Sequence, residues 1–128
     1  MLFPVSITVD LDMLAGTLGD FSFAYLVTVG DDYRAHTVAV DPVMTGGALV
    51  VASVGNSTRR NAGAHPDVTL VWPPREPGGY TLIVDGTAAD AGAGLRIEPV
   101  GAVLHRKPGP DSSPSATGCG DDCVPLSG

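Results

Sequence analysis

The sequence predicts an all-β domain, a six-stranded antiparallel barrel with one or two short helices. Three observations predict it. Val, Ala, Gly, Thr and Pro dominate the 128 residues, a mixture that favours strands and turns over helices. From Phe21 the chain alternates with period two, Phe21, Phe23, Tyr25, Val27 and Val29 against Ser22, Ala24, Leu26 and Thr28. The apolar runs are joined by short segments rich in Gly, Pro and Asp, as antiparallel neighbours require.

The elements follow in order. Val5 to Val9 is a short extended piece, and Leu11-Asp12-Met13-Leu14 suits one helical turn. The first barrel strand starts at Phe21, its aromatic side expected to face the core. Gly30-Asp31-Asp32-Tyr33 supplies a hairpin turn, and Arg34 to Val40 returns with His36, Val38 and Val40 on one face. Asp41-Pro42 ends that strand and Thr45-Gly46-Gly47 turns into the third, Ala48 to Val54, apolar enough to be buried on both sides. A polar turn, Gly55-Asn56-Ser57-Thr58, precedes Arg59 and Arg60 at the expected start of a short helix, which His65-Pro66 stops. Val68 to Trp72 forms the fourth strand and Tyr80 to Ala88 the fifth, where Gly86 marks a bulge or a close backbone approach. The sixth, Leu95 to about His105, contains Pro99 and therefore needs an edge or a bulge. Residues 1–107 make the barrel domain, and the Pro/Gly/Ser-rich segment 108–128 is expected to be an extended or flexible tail.

Charge narrows the function. Fourteen acidic against seven basic residues give a net charge of −7, which repels a nucleic-acid backbone and an anionic membrane surface. No apolar stretch approaches the ~20 residues of a membrane-spanning helix, and no cation precedes Arg34, so no export signal is expected and a cytoplasmic location is. His36, His65 and His105 lack metal spacing, and no metal site is expected. Cys119 and Cys123, four apart in the tail, suit a small-loop disulfide, a soft metal shared between two tails, or simply a reduced tail. No nucleophile–base–orienter arrangement is readable, so no catalytic residue is nominated.

The candidate site is the pair Arg59-Arg60 beside Ser57 and Thr58. A helix N-terminus offers free N–H groups and partial positive charge, and guanidiniums with hydroxyls nearby complete a cradle for phosphate or carboxylate. Plainer readings stand beside it: the arginines as a solvated helix face, Ser57 as an N-cap, His36 as a packed strand residue.

Two runs carry a resemblance. Ala35-His36-Thr37-Val38-Ala39-Val40-Asp41 is similar to the second strand, and Thr58-Arg59-Arg60-Asn61 with His65-Pro66-Asp67-Val68 to the helix and fourth-strand opening, of the pyridoxamine 5′-phosphate oxidase-like, FMN-binding split-barrel family. The resemblance covers Phe21 to His105. It implies a homodimer with two flavin sites at the subunit interface. It also implies FMN, or the deazaflavin coenzyme F-420, as hydride carrier to or from an unknown small-molecule substrate. On this pattern Ser57, Thr58, Arg59 and Arg60 hold the phosphate, while Val38 and Ala39 line the ring with their backbone groups. Thr58 stands where the family has lysine, Asp41 where it has an aromatic residue, and nothing matches the C-terminal arginine–histidine signature of true pyridoxamine phosphate oxidases. The alternative is a non-enzymatic flavin carrier or a cofactor-free dimeric interaction module on the same scaffold.

Overall fold

The computed structural model describes residues 5–107; the expected tail 108–128, with Cys119 and Cys123, lies outside the described residues. In chain order the elements are β1 (Val5–Thr8), a 3-10 turn (Leu11–Met13) running into α1 (Leu14–Leu18), β2 (Ala24–Val29), β3 (Ala35–Val40) and β4 (Val43–Thr45). They continue with β5 (Ala48–Val51), α2 (Asn56–Ala64), β6 (Asp67–Trp72), β7 (Thr81–Ala91) and β8 (Gly94–Arg106). The strands form one antiparallel sheet in the order β3-β2-β6-β7-β8-β5-β4, with β1 added to β8. The two ends of that order, β3 and β4, do not pair, so the barrel keeps an open seam. Among the described residues no helix is long and apolar enough to cross a membrane.

Eight strands replace the expected six. The six are present as β2, β3, β5, β6, β7 and β8; β1 and the three-residue β4 are additional. Both are too short to carry a period of their own. Neighbours decide them: β4 exists because Val43, Met44 and Thr45 find Val50, Leu49 and Ala48 across a two-glycine turn. Gly46 (φ 57°) and Gly47 (φ 82°) both take the left-handed conformation that this tight hairpin turn demands.

Register assigns the faces, because residues paired across an antiparallel ladder share one side. Val38, Leu26, Leu70, Val84 and Ala102 form one row across five strands, with Leu26, Leu70 and Val84 fully enclosed. The adjacent row, Ala39, Tyr25, Val71, Ile83 and Val103, lies on the opposite face. This corrects the expectation for β2: Ala24, Leu26 and Thr28 point inward, while Tyr25 is 39% exposed and packs edge-on against Phe23 at 5.1 Å. Alternation separates two faces without saying which is inside. The strand begins at Ala24 and not at Phe21, which still packs against the core ahead of it, while Trp72, only 2% exposed, fills the core from β6.

β7 and β8 carry the bulge expected at Gly86 and Pro99. Asp85 pairs with Gly101 but Gly86 with Pro99, leaving Val100 as the extra residue. A Cβ on Gly86 would lie 2.6 Å from Ile97 Cγ2 and 2.8 Å from the Glu98 carbonyl oxygen, so the close approach is real as well. Pro99 also falls between the stretch of β8 paired with β5 (Leu95–Ile97) and the stretch paired with β1 (Val103–Arg106), where a missing N–H disturbs no ladder. Leu70 sits at the centre of the enclosed row, so Leu70→Ala is expected to destabilise by about 2–5 kcal/mol, read as a lower urea midpoint at unchanged slope.

Candidate functional site

The site forms where β5 leaves the sheet and the chain crosses the open seam. Val54 donates its N–H to the Ala93 carbonyl at 3.0 Å, which holds the connection against the β7–β8 turn. Gly55, extended at φ −75° and ψ 172°, then caps α2. The helix begins at Asn56, so the polar turn expected before it is its own first turn. Three expectations change with that boundary. Arg59 and Arg60 lie in the second turn rather than at the start. Ser57 is an interior first-turn residue and not the N-cap. No side chain caps the helix, which leaves the N–H groups of Asn56, Ser57 and Thr58 without acceptors among the described residues.

Those N–H groups border a cleft of about 340 Å³ between the run Ser53–Thr58 and the seam side of β3, where His36, Val38, Ala39 and Val40 line it. A second cleft of about 470 Å³ continues from it between α2 and the β2–β3 hairpin. His36 and Ser57 line both, so the two clefts adjoin, and the pair is called the trough below. The helix face in the second cleft is Ser57, Arg60, Asn61 and Ala64, a spacing of three, four and seven residues that puts all of them on one side. Thr58 and Ala62 form the inward face.

Hydrogen bonds set the width of the trough. Asn61 Nδ2 donates to Thr28 Oγ1 at 3.3 Å and ties the helix to the enclosed face of β2. His65 Nε2 lies 2.9 Å from Asp31 Oδ1 and ties the helix end to the hairpin. At the hairpin tip Gly30 N–H donates to Arg34 C=O at 3.0 Å. Alternation from that bond pairs the backbone groups of His36, Val38 and Val40 with β2 and turns those of Ala35, Thr37 and Ala39 to the free edge. Ala39 thus offers backbone groups to the trough, whereas Val38 offers its side chain, half-buried against the core cluster.

The candidate phosphate residues separate. Ser57 and Arg60 meet in the trough, with Arg60 Nη2 donating to Ser57 Oγ at 3.5 Å. Thr58 borders the first cleft but is only 2% exposed, so its backbone N–H is nearer to use than its packed side chain. Arg59 lines neither cleft; adjacent helical positions diverge by about 100°, and the Arg59 Nε is enclosed and without a hydrogen-bond partner among the described residues. Among the described residues Arg60 pairs with no carboxylate, while Arg34 Nε lies 3.9 Å from Asp32 Oδ2. Sequence reasoning missed Asn56, Asn61 and Arg34 and left His36 as a packing residue. The signal for Asn61 was the Ser57–Arg60–Asn61–Ala64 spacing, legible only once the helix is started at Asn56.

The donor set suits a phosphate: three N–H groups without acceptors and one guanidinium without a carboxylate partner among the described residues, and a hydroxyl, beside an apolar shelf of Val38, Val40 and Val54.

Comparisons with known proteins bear on both fold and family. No family model matches the chain. It is 45% identical over 135 positions to an uncharacterised protein of Mycobacterium bovis, Mb0449c, covering 93% of this chain and 95% of that one. An uncharacterised Mycobacterium tuberculosis protein is equally similar. Among solved structures, an FAD-binding protein from Mesorhizobium loti superposes with a TM-score of 0.63 at 12% identity, covering 81% of this chain and 99% of that one. An F-420 reductase superposes with a TM-score of 0.53 at 17% identity over 65% of this chain and 89% of its own. A pyridoxamine 5′-phosphate oxidase-type protein from Listeria innocua reaches 0.56 at 16% identity, covering 74% of this chain and 96% of that one.

Proposed function

The chain belongs to the family of these mycobacterial proteins and has the split-barrel fold of pyridoxamine 5′-phosphate oxidase-like proteins, and from that premise we propose that it is a flavin-dependent oxidoreductase. One observation carries the reading: the uncapped first turn of α2, with Ser57 and Arg60, opens onto a trough with an apolar shelf at one end. The N–H groups of Asn56, Ser57 and Thr58, the Ser57 hydroxyl and the Arg60 guanidinium hold the phosphate of FMN or of deazaflavin F-420. Val38 and Ala39 support the ring, Ala39 through its edge-facing backbone groups. When bound, the flavin would supply the redox chemistry, a hydride transfer to or from a small-molecule substrate. The residues of this chain bind and orient it, and Val38, Val40 and Val54 keep water from one side of the ring.

The reading includes a homodimer. The outward row Tyr25, Val71, Ile83 and Val103 leaves apolar side chains partly exposed across four adjacent strands, a surface suited to a second copy. Ala39 begins that row and also lines the trough, so a partner seated there borders the flavin.

The test is a titration of the purified chain with FMN and with F-420, read by visible absorption and fluorescence quenching. Saturable binding near one flavin per chain is expected. A protein that neither flavin saturates overturns the proposal and leaves the interaction-module alternative.

A further inference from the structure

We propose that the trough selects flavins with a single phosphate and no further anionic extension, and that Asp31 and Asp32 enforce the selection. The inference rests on the flavin reading above and concerns what lies beyond the phosphate. The second cleft adjoins the first at Ser57, on the side of Arg60, so it is the walled space next to the phosphate into which a group attached past it can extend. At about 470 Å³ that cleft has room for such a group, and size does not exclude it. Charge does.

Two carboxylates and one guanidinium belong to the hairpin wall of this cleft: Asp31, Asp32 and Arg34. The turn holds Asp32, and the end of α2 holds Asp31. Asp32 Oδ1 accepts the Arg34 backbone N–H at 3.0 Å, and Asp31 Oδ1 lies 2.9 Å from His65 Nε2. The single cation of that wall lies 3.9 Å from Asp32. Arg60, on the opposite wall, is engaged by the first phosphate. A second phosphate, or the oligoglutamate of F-420, therefore meets a wall of net negative charge. The hairpin carboxylates are largely solvent-exposed, 87% for Asp31 and 66% for Asp32, so the discrimination is moderate and salt-sensitive. A repulsion of roughly two- to threefold in affinity per unit charge is expected at such exposure and low salt.

The experiment compares dissociation constants of FMN, FAD and oligoglutamyl F-420 by fluorescence quenching, at low and high salt, for the native chain, Asp31→Asn/Asp32→Asn and Arg34→Gln. FMN is expected to bind most tightly to the native chain. The double asparagine variant should narrow the FMN-to-FAD ratio by about three- to tenfold, mainly by tightening FAD, and high salt should do the same. Arg34→Gln, which leaves both carboxylates in place, should widen it. FMN binding without preference over FAD and F-420, or a ratio untouched by both variants, overturns this inference and leaves the flavin reading standing. Failure of all three flavins to bind overturns both.

Discussion

Arg60→Ala is expected to weaken FMN binding by about ten- to a hundredfold, the loss of one charge-assisted contact worth about 1.5–3 kcal/mol. Arg59→Ala is expected to leave the affinity within about threefold, since a change that removes no ligand contact acts only through distant charge. The asymmetry follows from the helix. Arg60 shares a face with Ser57 and Asn61 in the trough, whereas Arg59 lines neither cleft and has its Nε enclosed. Neither variant should unfold α2, because alanine is the better helix former. Fluorescence quenching of FMN with far-UV circular dichroism as the fold control checks both. Equal losses from the two variants would mean that the guanidiniums act together, against the geometry. No loss from Arg60→Ala would remove the phosphate from this end of the trough.

Gly94→Ala carries the largest expected effect on the fold. A Cβ at Gly94 would overlap the Val51 carbonyl oxygen and lie 2.6 Å from the Ala52 carbonyl carbon and oxygen. These are backbone atoms, so no side-chain rotation relieves the clash; β5 and β8 must part where Val51 pairs with Leu95. Overpacking of this kind costs about 3 kcal/mol or more. The damage reaches the site, because Ala93, one residue earlier, accepts the Val54 N–H that positions the entry to α2. A lower urea midpoint together with weaker flavin binding is expected. Gly101→Ala, where an added Cβ meets nothing within 4 Å, is the control and should leave both nearly unchanged.

Much of this was legible from residue order alone, and the failures share a cause. The Gly30–Tyr33 turn, the Gly46-Gly47 turn, the helix stop at His65-Pro66 and the Gly86/Pro99 bulge are local demands on backbone conformation or on missing N–H groups, and each stands where expected. The inward face of β2 was misassigned because Phe21, Phe23 and Tyr25 outweigh Ala24, Leu26 and Thr28 in hydrophobicity, while the choice depended on how much of the core Trp72 and the leucines of β6 and β7 already fill. The start of α2 was placed three residues late because Asn56 and Ser57 resemble turn residues by composition. Only the neighbouring Gly55, extended and without a side chain, shows the helix opening at Asn56.

The sequence by itself determined an acidic β-rich barrel, the order of its six principal strands, and a polar-then-basic segment crossing from strand to helix. These depend on period, turn chemistry and charge, all properties of neighbours along the chain. The tertiary structure decided which of two adjacent arginines faces a cleft, which face of β2 is buried, and that the hairpin acids Asp31 and Asp32 stand across a trough from Arg60. Such relations join residues about thirty positions apart, and only packing of the helix against the open edge of the sheet brings them together.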